Sequence, residues 1–295
     1  GYVNLYKKNK TENYKFKIDH LIELLLSLRS PDYSNSCWGY NFDWQSRAFF
    51  IPKFTPNVIV STFVGNALLD VYELNENKDL LAIVKSLSRF ISQDLNKSYD
   101  EFGDFCFSYS PLDQSKIFNS SLLASAFLAR VFSITKDKKL EELSTKSVEF
   151  CLRCQNKDFS WYYGMADNQK WIDGFHTAYN LEAIYSYQKY TGKRSCNLSF
   201  EKGTKYYLNN FFTDQGIPKY YNNSIYPIDI HSAAELIVFL VKTNQLKANK
   251  QLLDKVLTWT IDNVYDKEKG YFYFQKNKSY KIRIPYIRWS SAWMF

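Results

Sequence analysis

Histidine is scarce in this chain, with only His20, His176 and His231 among 295 residues. Each imidazole therefore needs a reason to be where it is. Cysteine is thin as well: Cys37, Cys106, Cys151, Cys154 and Cys196. An odd number spread over a long chain argues against a disulfide framework and for reduced thiols. Cys151 and Cys154 form a C-x-x-C within a helical pattern. With no second cysteine pair and no nearby histidine, they fall short of a zinc ligand set. No run of about 18 uninterrupted apolar residues occurs. The stretch Gly1 to Asn13 is polar and lysine-rich, with no apolar region of a secretory leader. A cytoplasmic location is the expectation. The sequence begins without Met, so Gly1 reads as a tag scar or a processed or clipped end. No nucleotide or metal motif is present, and no cofactor is expected.

What the chain does have is a repeat. Five times an aromatic loop runs into a helical stretch of small and apolar residues: Pro56-Asn57-Val58, Phe118-Asn119-Ser120, Phe175-His176-Thr177, Ile230-His231-Ser232 and Arg288-Trp289-Ser290. From Asn57 through Asn119, His176 and His231 to Trp289 the steps are 62, 57, 55 and 58 residues. That period exceeds the common helical solenoid units and suits a helical hairpin with a long internal loop.

Each unit opens with an amphipathic stretch: Tyr14–Leu28, Lys78–Leu95, Lys138–Cys154, Phe200–Phe212 and Gln251–Tyr265. Leu80, Leu81, Val84, Leu87 and Phe90 follow helical spacing, as in an outer helix with one wet face. A short aromatic run follows, at Trp38–Phe42, Phe105–Tyr109, Ser160–Tyr163, Pro218–Tyr221 and Tyr271–Phe274, and reads as a small β-hairpin or extended loop. The third part is nearly free of charge and rich in small residues, as in Ser120–Phe132, Thr177–Tyr187 and Ser232–Val241. A helix apolar nearly all round is buried on every side.

Alternating half-exposed and buried helices predict an all-α (α/α) toroid of five to six hairpins, with β-hairpin loops at one end. One domain over residues 1–295 is expected. The fifth inner helix starts near Arg288 and runs about two turns to Phe295, so either a chain truncated at its C-terminus or a ring missing part of a sixth hairpin is expected.

The segment from Phe175 to Gly192 (FHTAYNLEAIYSYQKYTG) resembles the N-acylglucosamine 2-epimerase family, in which a helix opens with His and continues into Leu-Glu-Ala, an aromatic and Thr-Gly. The match spans about 18 residues, and the rest of the likeness is carried by the repeat. It extends to the wider six-hairpin glycosidase-like group of epimerases, unsaturated glucuronyl hydrolases and related polysaccharide enzymes. The ending Tyr286 to Met294 (YIRWSSAWM) resembles uncharacterised toroid proteins of bacterial surface-polysaccharide gene clusters. The resemblance implies the toroid and a carbohydrate ligand. Terpenoid cyclases, prenyltransferase subunits and peptide cyclases share such rings. The aspartate-rich pattern of the first and the Cys-His zinc clusters of the others are absent here.

In such a ring the N-termini of the inner helices converge on a mouth that favours anions or oxygen-rich ligands. His176 and His231 occupy equivalent places in adjacent repeats, each with an Asp just before it, Asp173 and Asp229. Two imidazoles, each with a carboxylate to set its tautomer, suit proton removal and return at a sugar carbon. The bland alternative for each is a helix cap or a satisfied core group. His20 sits mid-helix in an outer element and reads as structural.

Carboxylates carry the rival mechanism. Asp43, Asp113, Asp167, Asp173 and Asp229 fall in mouth loops, where a pair could hydrolyse a glycoside, although singly such residues are usually turn or cap groups. Glu182 and Glu235 lie in buried helices and need partners.

Trp38, Trp44, Trp161, Trp171, Tyr220 and Trp289 lie in or beside the loops, where flat rings could pack on sugar. With aromatics at 18% of residues, many must be core instead. Lys276, Lys278, Lys281, Arg283 and Arg288 crowd the last loop, which has no acidic residue; a solvated loop is the bland account of them. Arg288 and Arg47 could hold a substrate carboxylate by a guanidinium fork.

The net charge of +8 is compatible with an anionic sugar. Mixed charge on the outer helices and the lack of a groove-reading motif argue against nucleic acid. The expected partner is a mono- or oligosaccharide, uronic or N-acetylated. The first reading is epimerase-like proton transfer, the second a glycoside hydrolase or lyase using loop carboxylates, the third a glycan- or protein-binding toroid without turnover.

Overall fold

The computed structural model describes residues 1–45 and 50–295; Arg47 lies outside the described residues. Helices dominate, joined by very short antiparallel strand pairs. The chain divides into two compact units. The first is Gly1–Arg153 with Met165–Asn168 and Lys189–Gly192; the second is Cys154–Gly164, Gln169–Gln188 and Lys193–Phe295.

In the first unit, α1 (Tyr2–Lys8) and α2 (Glu12–Ser27) precede the strand pair β1 (Trp44–Gln45) and β2 (Phe50–Ile51). The lysine-rich start thus forms a short helix that its polar composition did not announce. Next comes the hairpin α3 (Val58–Asn75) and α4 (Lys78–Arg89). Asn57 caps α3, its Oδ1 accepting the Val60 N–H at 3.0 Å. Asn77 caps α4 by accepting from Asp79 and Leu80. Such caps satisfy backbone donors that no helical carbonyl reaches. Leu80, Val84 and Leu87 bury one face of α4, as their spacing predicts, and a π-turn over Phe90–Asp94 closes it.

β3 (Lys97–Tyr99) pairs with β4 (Phe105–Phe107) and leads to α5 (Phe118–Thr135) and α6 (Lys138–Arg153). Here the small residues act as expected. Ser121 Oγ meets Ser147 Oγ at 2.7 Å, and Ser144 Oγ donates to the Ser125 carbonyl at 2.7 Å. Hydroxyl contacts of this kind need helix backbones close together. Among the described residues α5 is the one helix long and apolar enough to cross a membrane, and 72% of it is buried inside the protein. Its one buried cation, Arg130, is answered by Asp70 and Glu73 of α3 at 2.6 and 2.7 Å.

Gly65 shows how tight this packing is. A Cβ there would stand 2.5 Å from Leu87 of α4 and 2.5 Å from Phe127 of α5. Gly65→Ala is expected to destabilise the protein by about 1–3 kcal/mol through overpacking, read as a lower midpoint in urea unfolding. An unchanged midpoint would show that the hairpins can separate without cost.

The second unit carries most of α7 (Gly174–Thr191), then α8 (Asn197–Asn210), α9 (Ile230–Lys242) and α10 (Lys250–Val264). β5 (Ile228–Asp229) leads into α9. β6 (Tyr265–Asp266) pairs with β7 (Tyr271–Phe272), while β8 (Gln275–Lys276) lies between β5 and β9 (Lys281–Ile282). A π-turn over Ile287–Ser291 runs into α11 (Ala292–Met294). Tyr207 of α8 is fully buried against Phe211, Phe212 and Phe239.

Of the five aromatic runs, those at Phe105 and Tyr271 enter strand pairs. The runs at Trp38, Trp161 and Pro218 are extended loops, two of them held by single bridges such as Gly39 to Pro56 and Phe212 to Pro218.

Candidate active site

The site lies within the second unit and is built on the first turns of α7 and α9. The loop Lys170–Asp173 runs extended into α7, bridged to Tyr221 at Asp173. Asp173 then serves two purposes at once. Its Oδ1 accepts the backbone N–H of His176 at 2.9 Å, a helix-capping bond. Its Oδ2 lies 2.7 Å from His176 Nδ1 and also accepts the Trp171 indole N–H at 2.9 Å. An ionised carboxylate only accepts, so Nδ1 carries the hydrogen and Nε2 the lone pair. The Asp173 side chain is 0% exposed, whereas His176 keeps 21%. The imidazole therefore faces the site and the carboxylate supports it from behind.

His231 is placed differently. Asp229 is the cap of α9, and its Oδ1 accepts the His231 backbone N–H at 2.9 Å, but it does not hold the ring. Its Oδ2 is reached by the Gln275 side-chain amide at 3.5 Å instead. The expected carboxylate support thus forms at His176 and not at His231. Asp173 stands three residues before its histidine and Asp229 only two, so only the former spans one helical turn to the ring. His231 Nε2 bonds to the Tyr179 hydroxyl at 2.8 Å, with Glu235 Oε2 at 3.9 Å. Burial, with His176 nearby, pulls the His231 imidazole down from 6.5 to about 3. Burial pushes the Asp229 carboxyl up to about 7, and the neighbouring Asp173 charge adds to the shift.

Aromatic rings fill the space between these groups. Phe175 packs on His176 at 4.2 Å and stacks on His231 at 4.6 Å between centroids. Tyr163 lies 4.7 Å from His176 and stacks on Trp171 at 4.5 Å. Trp293, in α11, reaches His231 at 4.2 Å and Tyr179 at 5.8 Å. Beneath His231 is a buried acidic pair. Glu182 Oε2 bonds to Lys242 Nζ at 2.8 Å. Glu235 is fully buried and neither of its oxygens has a hydrogen-bond partner among the described residues. Burial, and then the charge of Glu182, hold Glu235 well above the usual carboxylate range, with Lys242 opposing.

The aromatic residues singled out in the sequence separate into those near the histidines and those elsewhere. Trp171 reaches His176 through Asp173, and Tyr220 meets Phe175 edge-on at 5.4 Å. Trp289 packs with Phe274 and Tyr286, and the Arg288 guanidinium lies over its ring at 4.7 Å. Trp161 is 2% exposed. In the first unit Trp38 is 1% exposed and donates its indole N–H to the Leu25 carbonyl at 2.7 Å, while Trp44 packs against Tyr40. Trp38 and Trp161 are core residues in this structure, for the plain reason that a chain so rich in aromatics buries many of them.

The other carboxylates have structural partners. Asp43 accepts the Lys53 N–H, and Asp113 accepts from Tyr109, Ser110 and Ser115. The last-loop cations are spread over several rings: Lys276 lies over Trp259, and Lys281 and Arg283 over Tyr273. His20 stacks on Phe16 at an exposed point of α2. Sequence reasoning missed Phe175, Tyr179, Tyr163 and Trp293 as members of the site. Tyr179 alone had a signal, being one turn after His176 on the same helix.

No family model matches this chain, and no curated protein does. Solved structures do. The chain is similar to cellobiose 2-epimerase from Bacillus thermoamylovorans, at 14% identity with a TM-score of 0.72, covering 97% of this chain and 81% of that one. It is also similar to a mannosidase of glycoside hydrolase family 76 from Bacteroides thetaiotaomicron, at 13% identity and a TM-score of 0.67, covering 90% and 74%. A D-mannose isomerase matches at 9% identity and a TM-score of 0.67, covering 94% and 77%. Likeness at such identities speaks to fold alone, and the fold is an all-α toroid.

Proposed function

We propose that this chain is a carbohydrate-active enzyme that epimerises a uronic or N-acetylated sugar by proton transfer. The observation that carries the reading is the Asp173–His176 dyad, with its 2.7 Å bond and its carboxylate fully buried. His176 Nε2 takes the proton from the carbon beside the sugar carbonyl; the C–H electron pair becomes the new C=C bond and the carbonyl π pair moves to the oxygen. Asp173 stabilises the imidazolium so formed and fixes its orientation. His231, kept neutral by burial, acts with the Tyr179 hydroxyl as the second proton-exchanging group. The Tyr179 hydroxyl returns a proton from that side to the planar enolate and gives the epimer; the Tyr179–His231 pair is then reprotonated from solvent as His176 releases its proton. Arg288 is the candidate for holding the substrate, and Arg47 is proposed alongside it from the sequence alone.

The burial of Asp173 and Asp229, the two loop carboxylates beside the histidines, favours this over hydrolysis at the same site. A glycosidase needs two carboxyl groups facing the scissile bond, whereas Asp173 is engaged by Trp171 and His176, and Asp229 is 5% exposed and caps α9. Likeness in fold extends to proteins described as sugar epimerases, a sugar isomerase and glycoside hydrolases alike, so the choice rests on the site and not on the fold.

The test is NMR of the protein with neutral, N-acetylated and uronic sugars in D2O. Deuterium is expected at a ring carbon next to the reducing carbon, with no bond cleaved. New reducing ends without unsaturation would show hydrolysis and rule the dyad out as the proton-transfer centre, and unsaturated products would show elimination, which keeps the proton abstraction and overturns epimerisation.

A further inference from the structure

After Glu268 the chain has no acidic residue, and six cations follow: Lys269, Lys276, Lys278, Lys281, Arg283 and Arg288. Lys276 of β8 and Lys281 of β9 are partners in the strand pair, so two ammonium groups leave one face of the hairpin directly opposite each other. Arg283, two residues beyond Lys281, lies over the same Tyr273 ring, at 5.4 Å against 5.5 Å for Lys281. Lys278 is exposed in the turn between the strands. Like charges placed opposite each other cost stability. Among the described residues Lys276, Lys278, Lys281 and Arg283 form no ion pair. We propose that this face of the β8–β9 hairpin binds a carboxylated glycan chain, as a docking surface outside the proton-transfer site. The proposal rests on the carbohydrate reading above and names the substrate class more closely.

The surroundings orient these cations without neutralising them. Lys276 Nζ donates to Asn263 Oδ1 at 2.9 Å and lies over the Trp259 ring at 5.3 Å. An amide or a ring attracts an ammonium but carries no opposite charge. Burial, and then the Lys281 charge, pull the Lys276 ammonium below its ordinary value. The carboxylates of the neighbouring elements are used elsewhere. Asp266 accepts the Tyr273 hydroxyl at 3.2 Å and the backbone N–H groups of Glu268 and Lys269, and Asp262 meets Lys267 at 3.3 Å. Glu268 is exposed on the β6–β7 turn.

The form of the surface favours a glycan. Cations in a row suit carboxylates spaced along a chain. Tyr280, 61% exposed in the turn, offers a flat ring to the C–H face of a pyranose. The turn is closed by the Asn277 N–H, which donates to the Tyr280 carbonyl at 2.8 Å. The hairpin is also tied to the site. β8 pairs with β5, where Gln275 stands opposite Asp229, and Asp229 caps α9 at His231. A chain held on the hairpin is therefore held beside the helix start that carries His231.

The experiment is calorimetric titration at low salt with hexagalacturonate, the neutral maltohexaose and a short single-stranded oligothymidylate. Wild type is compared with a Lys281→Gln/Arg283→Gln double variant, with Lys278→Gln and with His176→Ala. Lys278, Lys281 and Arg283 are exposed, so their replacement spares the core. Hexagalacturonate is expected to bind best, and about tenfold more weakly to the double variant, as for two exposed charge-assisted contacts. Binding should weaken further as salt rises. His176→Ala is expected to bind as wild type does.

Equal binding of maltohexaose, tighter binding of the oligothymidylate, or no binding of hexagalacturonate would each overturn the surface. So would a stably folded double variant with wild-type affinity. Should the double variant lose stability through its Tyr273 contacts, Lys278→Gln decides the matter. About threefold weaker binding supports the surface, and unchanged binding overturns it. If no deuterium entered any sugar while cation-dependent binding of hexagalacturonate persisted, the epimerase reading would fail and the surface would stand.

Discussion

Asp173→Asn is expected to slow deuterium exchange into the sugar by about 10²–10⁴-fold, and His176→Ala to do so by a similar factor. The amide of Asn is nearly the same size as the carboxylate, and its single oxygen can still accept the His176 backbone N–H. Its NH2 then faces the Trp171 indole N–H and Nδ1 and leaves the indole without its acceptor. It cannot stabilise an imidazolium, and it can present an amide hydrogen to Nδ1 and reverse the tautomer. Both losses act on the chemical step, so the rate should fall with little change in KM. A weaker substrate affinity with an unchanged rate would make Asp173 a binding group and remove it from the proton-transfer account. The double variant should be no slower than either single one, because the two residues act as one base.

Stability is expected to respond to pH in opposite senses at the buried groups around His231. The folded-state value of His231 is depressed from 6.5 to about 3. Below 6.5 the unfolded chain gains a proton that the folded chain refuses, so this contribution is lost as pH falls. Asp229 is raised from 3.8 to about 7, and Glu235 well above 4.5. Here the folded chain keeps a proton that the unfolded chain releases. That contribution is complete at low pH and is lost as pH rises, through about 7 for Asp229.

Each such proton difference is worth about 1.4 kcal/mol per pH unit. Between about pH 5 and 6 these groups supply one rising slope and two falling ones. Glu235→Gln removes a falling slope and should make the curve shallower by about 1.4 kcal/mol per pH unit relative to wild type. Asp229→Asn should do the same. His231→Gln removes the rising slope and should steepen the decline by as much. Urea unfolding of the four proteins across this window gives the comparison. A Glu235→Gln curve parallel to wild type would mean that Glu235 is ionised in the folded protein.

The architecture was legible because its signals are local. A helix that is wet on one side shows 3.6-residue periodicity, as at Leu80, Val84 and Leu87, and a buried one shows small residues all round, as at Ser121, Ala124 and Ser125. The interval between aromatic loops and inner helices repeats for the same reason, since each hairpin solves the same packing problem. Strand pairing was less legible. The runs at Phe105 and Tyr271 find partners while those at Trp161 and Pro218 stay in loops, and pairing depends on a second segment whose approach composition does not encode.

By itself the sequence determined the helical hairpins, the two histidines at equivalent helix starts and the carboxylate before each. Those follow from periodicity and from capping chemistry, which act over three or four residues. Only the tertiary structure decided how the pair differs. Asp173 reaches its imidazole and Asp229 does not, a difference set by where each helix begins. Trp293 meets His231, while Trp289, four residues earlier, packs on Phe274 and Tyr286. The same is true of Trp38 and Trp161, which look like loop residues in sequence and are core in space. Burial is a property of what surrounds a side chain, and most of those neighbours are distant in the chain.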